Sequence, residues 1–207
     1  MDAAQSKVFG IILAGGRAER LGGRGKADLS IGDETLVARA IRRLRPQCAG
    51  LVLNSNEPAQ HPALPIAPDP VAERLGPLSG VLAGLDWIAV HAPDVALAVT
   101  VPVDGPFLPA NLVARLSQAR DDARAEIACA ASNGRRHGVY ALWPVSLRSA
   151  LRDALLTQHL RKVDHFLARY QIAVSPWDTT PADPFFNINT PADLDHARAL
   201  IVQFPDF

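Results

Sequence analysis

Short apolar runs alternate with helical stripes along almost the whole chain, and this alternation restricts the fold more than any other feature of the sequence. Val8-Phe9-Gly10-Ile11-Ile12-Leu13 is an apolar run ending at glycines, which suits a strand covered on both faces in a parallel sheet. Residues 51–53, 96–101, 127–130 and 139–143 repeat the pattern, each separated from the next by enough chain for a crossover, and 172–174 adds a further strand. Between them, Leu36, Val37, Ala40, Ile41 and Leu44 form one stripe at helical spacing, and Leu78, Val81, Leu82, Leu85, Ile88 and Ala89 another. Pro109 opens a third helix, and Leu160, Val163, Phe166, Leu167 and Tyr170 mark a fourth. The last helix has Thr190 as N-cap, Pro191 in its first position and Asp193 in its first turn, with Leu194, Ala197, Ile201 and Phe204 facing the core. The pattern predicts a three-layer α/β/α fold with a mostly parallel central sheet, whose ligands lie beyond the carboxyl ends of the strands.

A chain of 207 residues is long enough for one sizeable α/β core and short for two, so a single domain over residues 1–207 is expected. The Pro-rich stretch 58–77 is expected to be an irregular surface passage within it. Lys plus Arg equals Asp plus Glu at 21 each, so no global field favours nucleic acid or an anionic membrane, and an anionic ligand must be held by local charges. No apolar run reaches the roughly 20 residues of a membrane span. Residues 1–7 lack a signal-peptide pattern, so the cytoplasm is the expected compartment. Cys48 and Cys129 are the only cysteines; their separation speaks against a disulfide framework or zinc site and for two buried thiols.

The local charges gather directly after the first strand. Leu13-Ala14-Gly15-Gly16 brings backbone N–H groups to a phosphate with no Cβ in the way at the glycines. Arg17, Arg20, Arg24 and Lys26 then oppose a single Glu19, interleaved with Gly22, Gly23 and Gly25. Such a loop suits a triphosphate and a leaving pyrophosphate; its plain alternative is a solvated surface turn. Neither the P-loop pattern nor the dinucleotide-binding glycine fingerprint is present.

Asp104 follows the strand over 96–101, which sends its carboxylate to the same sheet edge. That suits Mg²⁺, which takes hard oxygen ligands from one or two carboxylates and substrate phosphates; an aspartate capping the helix near Pro109 would have to act from too far upstream. Asn54 and Asp69 offer donors and acceptors for a base edge or ribose, with Asx turns as the alternative. Gly76-Pro77-Leu78-Ser79-Gly80 allows close approach of a ligand to a positive helix end, or is simply a tight entry to a core helix. Asn187 and Asn189 face one side of an extended segment, or serve capping and turn chemistry. His137 beside Arg135 and Arg136 makes a patch for a second substrate's phosphate, with an exposed basic turn as the favoured alternative.

Taken in order, Leu13-Ala14-Gly15-Gly16, Arg20-Leu21-Gly22-Gly23, Lys26, Asn54, Asp69, 76–80, 102–108 and Asn187-Ile188-Asn189-Thr190-Pro191 resemble the nucleotidyltransferases that make molybdenum dinucleotide cofactors. Among these the chain is most similar to the molybdenum cofactor guanylyltransferases, the MobA family, over almost its whole length. The resemblance implies a Rossmann-like nucleotidyltransferase fold and transfer of GMP from GTP to molybdenum-molybdopterin, releasing pyrophosphate. It implies Mg²⁺ on Asp104, and Arg20, Lys26 and Asp104 as catalytic residues. Leu13, Ala14, Gly15, Gly16, Lys26, Asn54, Asp69, Gly76, Gly80 and Asp104 would hold the nucleotide, and Asn187 and Asn189 the pterin side. Contact with molybdoenzyme maturation proteins is expected on the same ground, and the chain is expected to be a monomer. The chain departs from the family pattern at Gly25 (an acidic residue expected), Gly105 (Thr or Met) and Gly138 (Pro), which bears on the detail of the pterin pocket. A cytidylyltransferase for the same pterin and a sugar-1-phosphate nucleotidyltransferase are the rival enzymes, although Gly15-Gly16 and Gly76-Pro77-Leu78 favour guanylyl transfer. A non-catalytic nucleotide or cofactor carrier is the rival of another class, opposed by the joint presence of Asp104 and Lys26.

Overall fold

The computed structural model describes residues 8–15, 26–56, 64–70 and 76–204. Among the described residues seven strands form one sheet: β1 (Val8–Leu13), β4 (Gly50–Asn54), β5 (Ile66–Ala67), β6 (Leu97–Pro102), β7 (Ile127–Ser132), β8 (Arg135–Pro144) and β9 (Ile172–Trp177), in the spatial order β5-β4-β1-β6-β8-β7-β9. A separate two-stranded ribbon joins β2 (Ser30–Ile31) to β3 (Glu34–Thr35). All pairings in the large sheet are parallel except those of β8, which runs antiparallel to both β6 and β7.

Side chains alternate across the sheet and so build two cores. Ile12, Leu53, Val99, Ala128 and Leu142 join one apolar cluster with residues of α1 (Leu36–Leu44), α3 (Leu112–Asp122) and α6 (Pro191–Gln203). Ile11, Val52, Ala98, Cys129 and Trp143 join the other with α2 (Pro77–His91), α4 (Arg148–Leu156) and α5 (Val163–Leu167). A strand that is apolar on both sides has this result: each face needs its own layer of helices. The three-layer, mostly parallel expectation is met. Among the described residues no helix is long and apolar enough to cross a membrane.

Four local expectations are corrected. First, 127–130 and 139–143 are not linked by a crossover; they belong to a hairpin whose two-residue turn, Asn133-Gly134, has positive φ at both positions (48 and 70°). That is the turn whose twist matches antiparallel strands, and Asn-Gly is its usual sequence. Second, the third helix starts at Leu112 rather than Pro109, because Pro109 O accepts from Leu112 N and from Gln47 Nε2. Third, the stripe from Leu160 to Tyr170 is interrupted: Leu160 N donates to Ala154 O, ending the turn after α4, and only Val163–Leu167 is helical. Fourth, within 58–77, Ile66 and Ala67 are a strand paired with β4, with Ala67 buried, and Pro77 is already helical. The final helix is as expected, with Thr190 Oγ1 accepting from Asp193 N and Asp193 Oδ2 accepting from Thr190 N, a reciprocal cap.

Candidate active site

The carboxyl ends of β1, β4 and β6 lie side by side, and most of the expected nucleotide residues gather there. Leu13 pairs with both Asn54 and Pro102, Ala14 N donates to Asn54 O at 2.9 Å, and Val103 N donates to Leu13 O at 3.0 Å. The strand that ends at the glycines is therefore stitched on one side to the strand carrying Asn54 and on the other to the turn carrying Asp104.

Asn54 is buried, and its Nδ2 donates to Ala67 O (3.1 Å) and Asp69 Oδ1 (2.9 Å). Asp69 Oδ2 accepts from Asn56 Nδ2 at 2.9 Å, and Asp69 N donates to Asn56 Oδ1 at 2.8 Å. Asn54 and Asp69 are thus joined to each other, and Asn56, one strand period beyond Asn54, is a partner that the sequence reading did not single out. Gly80 meets this cluster from α2: a Cβ there would lie 2.2 Å from Asn54 Oδ1. A Cβ on Gly15 would lie 3.3 Å from the same oxygen and 3.8 Å from Asp69 Oδ2. Gly76 is the N-cap of α2 with φ 79°, a backbone conformation that glycine adopts without strain. Lys26 opens the 3-10 turn Lys26–Asp28. Gly16, Arg20 and the rest of the cationic stretch 16–25 lie outside the described residues.

The second group surrounds Asp104. Its carbonyl accepts from Ile188 N at 2.9 Å, which joins the Asn187-Ile188-Asn189 segment to the metal candidate. Tyr140 Oη donates to Asn187 Oδ1 at 3.2 Å and occupies the place a Cβ on Gly105 would need, only 1.7 Å away. The departure at Gly105 therefore has a steric reason in this chain. Burial, with the Asp104 and Asp183 carboxylates adding to it, holds the Tyr140 hydroxyl well above its ordinary pKa, so it stays a donor. Asn189 N donates to Asp193 Oδ2 at 2.9 Å and its side chain is exposed, so this residue takes part in the cap of α6. Asp104 lies eight residues before the first residue of α3 and does not cap it.

The loop after Asp104 is held from behind by α1. Arg39 Nε donates to Pro106 O (2.7 Å), Arg43 Nε to Leu108 O (2.6 Å), and Arg39 is itself buried beside Glu34 (3.6 Å). No motif marks these arginines in the sequence, because they act on backbone carbonyls, which any residue supplies. The donors near Asp104 are hard oxygens, and among the described residues no three His, Cys, Asp or Glu side chains gather to cage a metal. The Asp104 carboxylate is a hard oxygen donor of the kind that Mg²⁺ takes together with substrate phosphates.

Beside this edge lies a cleft of about 660 Å³ lined by Pro77, Arg135, Arg136, His137, Gly138, Arg161 and Lys162, among others. The basic patch is thus part of a concave wall rather than an isolated turn. Arg136 pairs with Asp164 at 3.2 Å, and Arg161 Nη1 donates to Leu155 O. His137 Nε2 lies 2.7 Å from Ser132 Oγ, which donates to Asp183 Oδ2 at 2.9 Å. Burial pulls the His137 pKa down, against the Asp183 carboxylate and together with Arg135. Sequence reasoning did not select Ser132, Tyr140 or Asp183; the Asn133-Gly134 turn, read as a hairpin, is the signal that would have brought the first two to this edge.

Comparison with known proteins shows the family and the fold. The model of the MobA-like NTP transferase domain matches residues 10–172. A molybdenum cofactor guanylyltransferase of Rhodopseudomonas palustris (strain HaA2) is 54% identical over 199 residues, 95% of this chain and 93% of that protein. One from Bradyrhizobium sp. (strain ORS 278) is 49% identical over 202 residues, 96% and 95% of the two chains. Among solved structures, the molybdopterin-guanine dinucleotide biosynthesis protein A of Archaeoglobus fulgidus superposes with a TM-score of 0.75 at 21% identity, covering 95% of this chain and all (100%) of that one. The 2-C-methyl-D-erythritol 4-phosphate cytidylyltransferase of Thermus thermophilus gives 0.66 at 21% identity, covering 94% and 98%. These two likenesses establish the shared nucleotidyltransferase fold.

Proposed function

Because the chain belongs to the molybdenum cofactor guanylyltransferases of the MobA-like NTP transferase family, we propose that it transfers GMP from GTP to molybdenum-molybdopterin. An oxygen of the pterin's terminal phosphate attacks the α-phosphorus of GTP, the bond to the bridging oxygen breaks, and pyrophosphate leaves with that electron pair. No protein nucleophile takes part, so the chain's work is alignment and charge compensation. Mg²⁺, when bound, supplies Lewis-acid stabilisation of the phosphate oxygens, and Asp104 is the residue to hold it.

The observation that carries this reading is the double tie at Asp104: Val103 N to Leu13 O on the glycine-loop side, and Asp104 O to Ile188 N on the asparagine side. In this proposal Leu13, Ala14, Gly15, Gly16, Asn54, Asp69, Gly76 and Gly80 bind the nucleotide, with Arg20 and Lys26 countering the charge of the leaving pyrophosphate. Asn187, Asn189 and the basic cleft take the pterin. The enzyme acts as a cytoplasmic monomer that passes its product toward molybdoenzyme maturation proteins.

Pyrophosphate release from GTP and from CTP, with Mg²⁺ and molybdenum-loaded pterin, tests the reading on the native chain and on Asp104→Ala. Release from GTP alone, abolished in the variant, is expected. A preference for CTP would move the chain to the cytidylyl reaction, and no release from either would refute transferase activity.

A further inference from the structure

We propose that Asp183, Ser132 and His137 form a directional clasp that positions the Asn187 segment for the acceptor substrate. The inference rests on the transferase reading for its kinetic part only. An ionised carboxylate accepts and never donates. Asp183 Oδ2 therefore takes the single hydroxyl proton of Ser132 at 2.9 Å, and the 2.7 Å contact between Ser132 Oγ and His137 Nε2 must use a proton carried by the imidazole. The chain of donors runs in one direction, from His137 Nε2–H to Ser132 Oγ–H to Asp183. Ser132 is 2% exposed, so breaking the chain would leave buried polar groups without partners.

The clasp also sets where the acceptor side of the site lies. Asp183 Oδ1 accepts from Phe185 N (2.9 Å) and Asp183 O from Phe186 N (3.1 Å), which folds the start of the segment over β7. Phe185 then fills the space between the rings of His137 and Tyr140, with centroids 4.9 and 4.8 Å away. Two residues on, Asn187 receives the Tyr140 hydroxyl, and Ile188 N reaches the Asp104 carbonyl. One end of the segment is fixed by Asp183 and the other by Asp104, with the cleft-lining His137 in the same network. Ser132, His137 and Asp183 are accordingly positioning residues: they act on the reaction through Asn187.

Asp183→Asn supplies a sharp test. Phe185 N requires an oxygen opposite it, so the new amide must turn its NH₂ toward Ser132. Ser132 then accepts from the amide and donates to His137 Nε2, which moves the imidazole proton to Nδ1. In ¹⁵N-labelled protein without substrate, the native chain is expected to carry the His137 proton on Nε2 and Asp183→Asn on Nδ1. In steady-state pyrophosphate release, Asp183→Asn and Ser132→Ala are each expected to raise KM for molybdenum-loaded pterin by on the order of tenfold, with KM for GTP nearly constant. A native imidazole protonated on Nδ1 overturns the clasp. Kinetic variants in which neither KM moves, or both move together, overturn its positioning role. A native chain that releases no pyrophosphate refutes the transferase reading instead, and the imidazole protonation, read without substrate, still decides the clasp.

Discussion

Substituting Gly80 by alanine tests whether the seating of Asn54 in the candidate site depends on a steric allowance. The added Cβ would lie 2.2 Å from Asn54 Oδ1 and 2.9 Å from its Cγ, so the buried amide must leave its place. Its two hydrogen bonds go to Ala67 O and to the Asp69 carboxylate. Losing them costs about 1 kcal/mol for the neutral bond and about 2 kcal/mol for the charge-assisted one. Alanine in place of glycine within a helix returns about 1 kcal/mol. The net loss is about 2 kcal/mol, roughly a thirtyfold change in the folding equilibrium. In an Asn54→Ala background the clash with the amide is gone, and the flexible end of Leu13, 3.0 Å from the new Cβ, can give way. There Gly80→Ala should stabilise by about 1 kcal/mol, giving a coupling of about −3 kcal/mol in a double-mutant cycle. Urea unfolding of the four proteins measures it, and GTP titration should show the single variant binding more weakly than the native chain. If Gly80→Ala has the same effect in both backgrounds, the claim that this glycine exists to seat Asn54 is wrong.

Three further perturbations address the supports of the site. Arg39→Met removes the guanidinium from Pro106 O and Glu34; at about 2 kcal/mol for a charged hydrogen bond, Tm should fall by roughly 4 to 8 °C in a calorimetric scan, and kcat should fall with it because the Asp104 loop loosens. Thr190→Ala removes the reciprocal cap of α6 and should lower Tm by about 2 to 4 °C, a loss of about 1 kcal/mol, with the Thr190→Ser variant close to native. Burial pushes the Cys48 and Cys129 thiols up to about 12, so at pH 8 a thiol-specific disulfide reagent should react with the native chain far more slowly than with the urea-unfolded chain. Because these folded values are raised, the unfolded chain loses its thiol protons first. The stability they support is complete below about pH 8.5 and is lost between there and about pH 12, at up to about 1.4 kcal/mol per pH unit per thiol. Urea midpoints at pH 8 and pH 10, compared with Cys129→Ala, check the sign.

The parallel half of the sheet was legible because burial on both faces leaves a continuous apolar run, as in Val8–Leu13, and because α1, α2 and α6 carry stripes or caps that depend on local sequence. The gathering of Gly15, Asn54 and Asp104 at one sheet edge was legible for the same reason: they stand just at or beyond strand ends, which the runs mark. The setting of Asn187 was less so. Its geometry depends on Ser132, Tyr140 and Asp183, whose meeting requires the hairpin at Asn133-Gly134, and a two-residue turn is easily overlooked between runs read as crossover strands. The clamp by Arg39, Arg43 and Gln47 is invisible to any motif, since long-range bonds to carbonyls leave no pattern in the residues that accept them.

Cys129 opposes Ala141 and Ala130 opposes His137, so residues 138–140 of β8 have no counterparts on β7, and it is there that Tyr140 turns toward Asn187. Unpaired residues of this kind bend the strand and re-aim a side chain. The exposed tip at Asn133 and Gly134 has no such duty. Natural chains of this kind should therefore vary in length at the hairpin tip and keep the same residue count through 138–140, since one deletion there would turn the tyrosine to the opposite face of the strand.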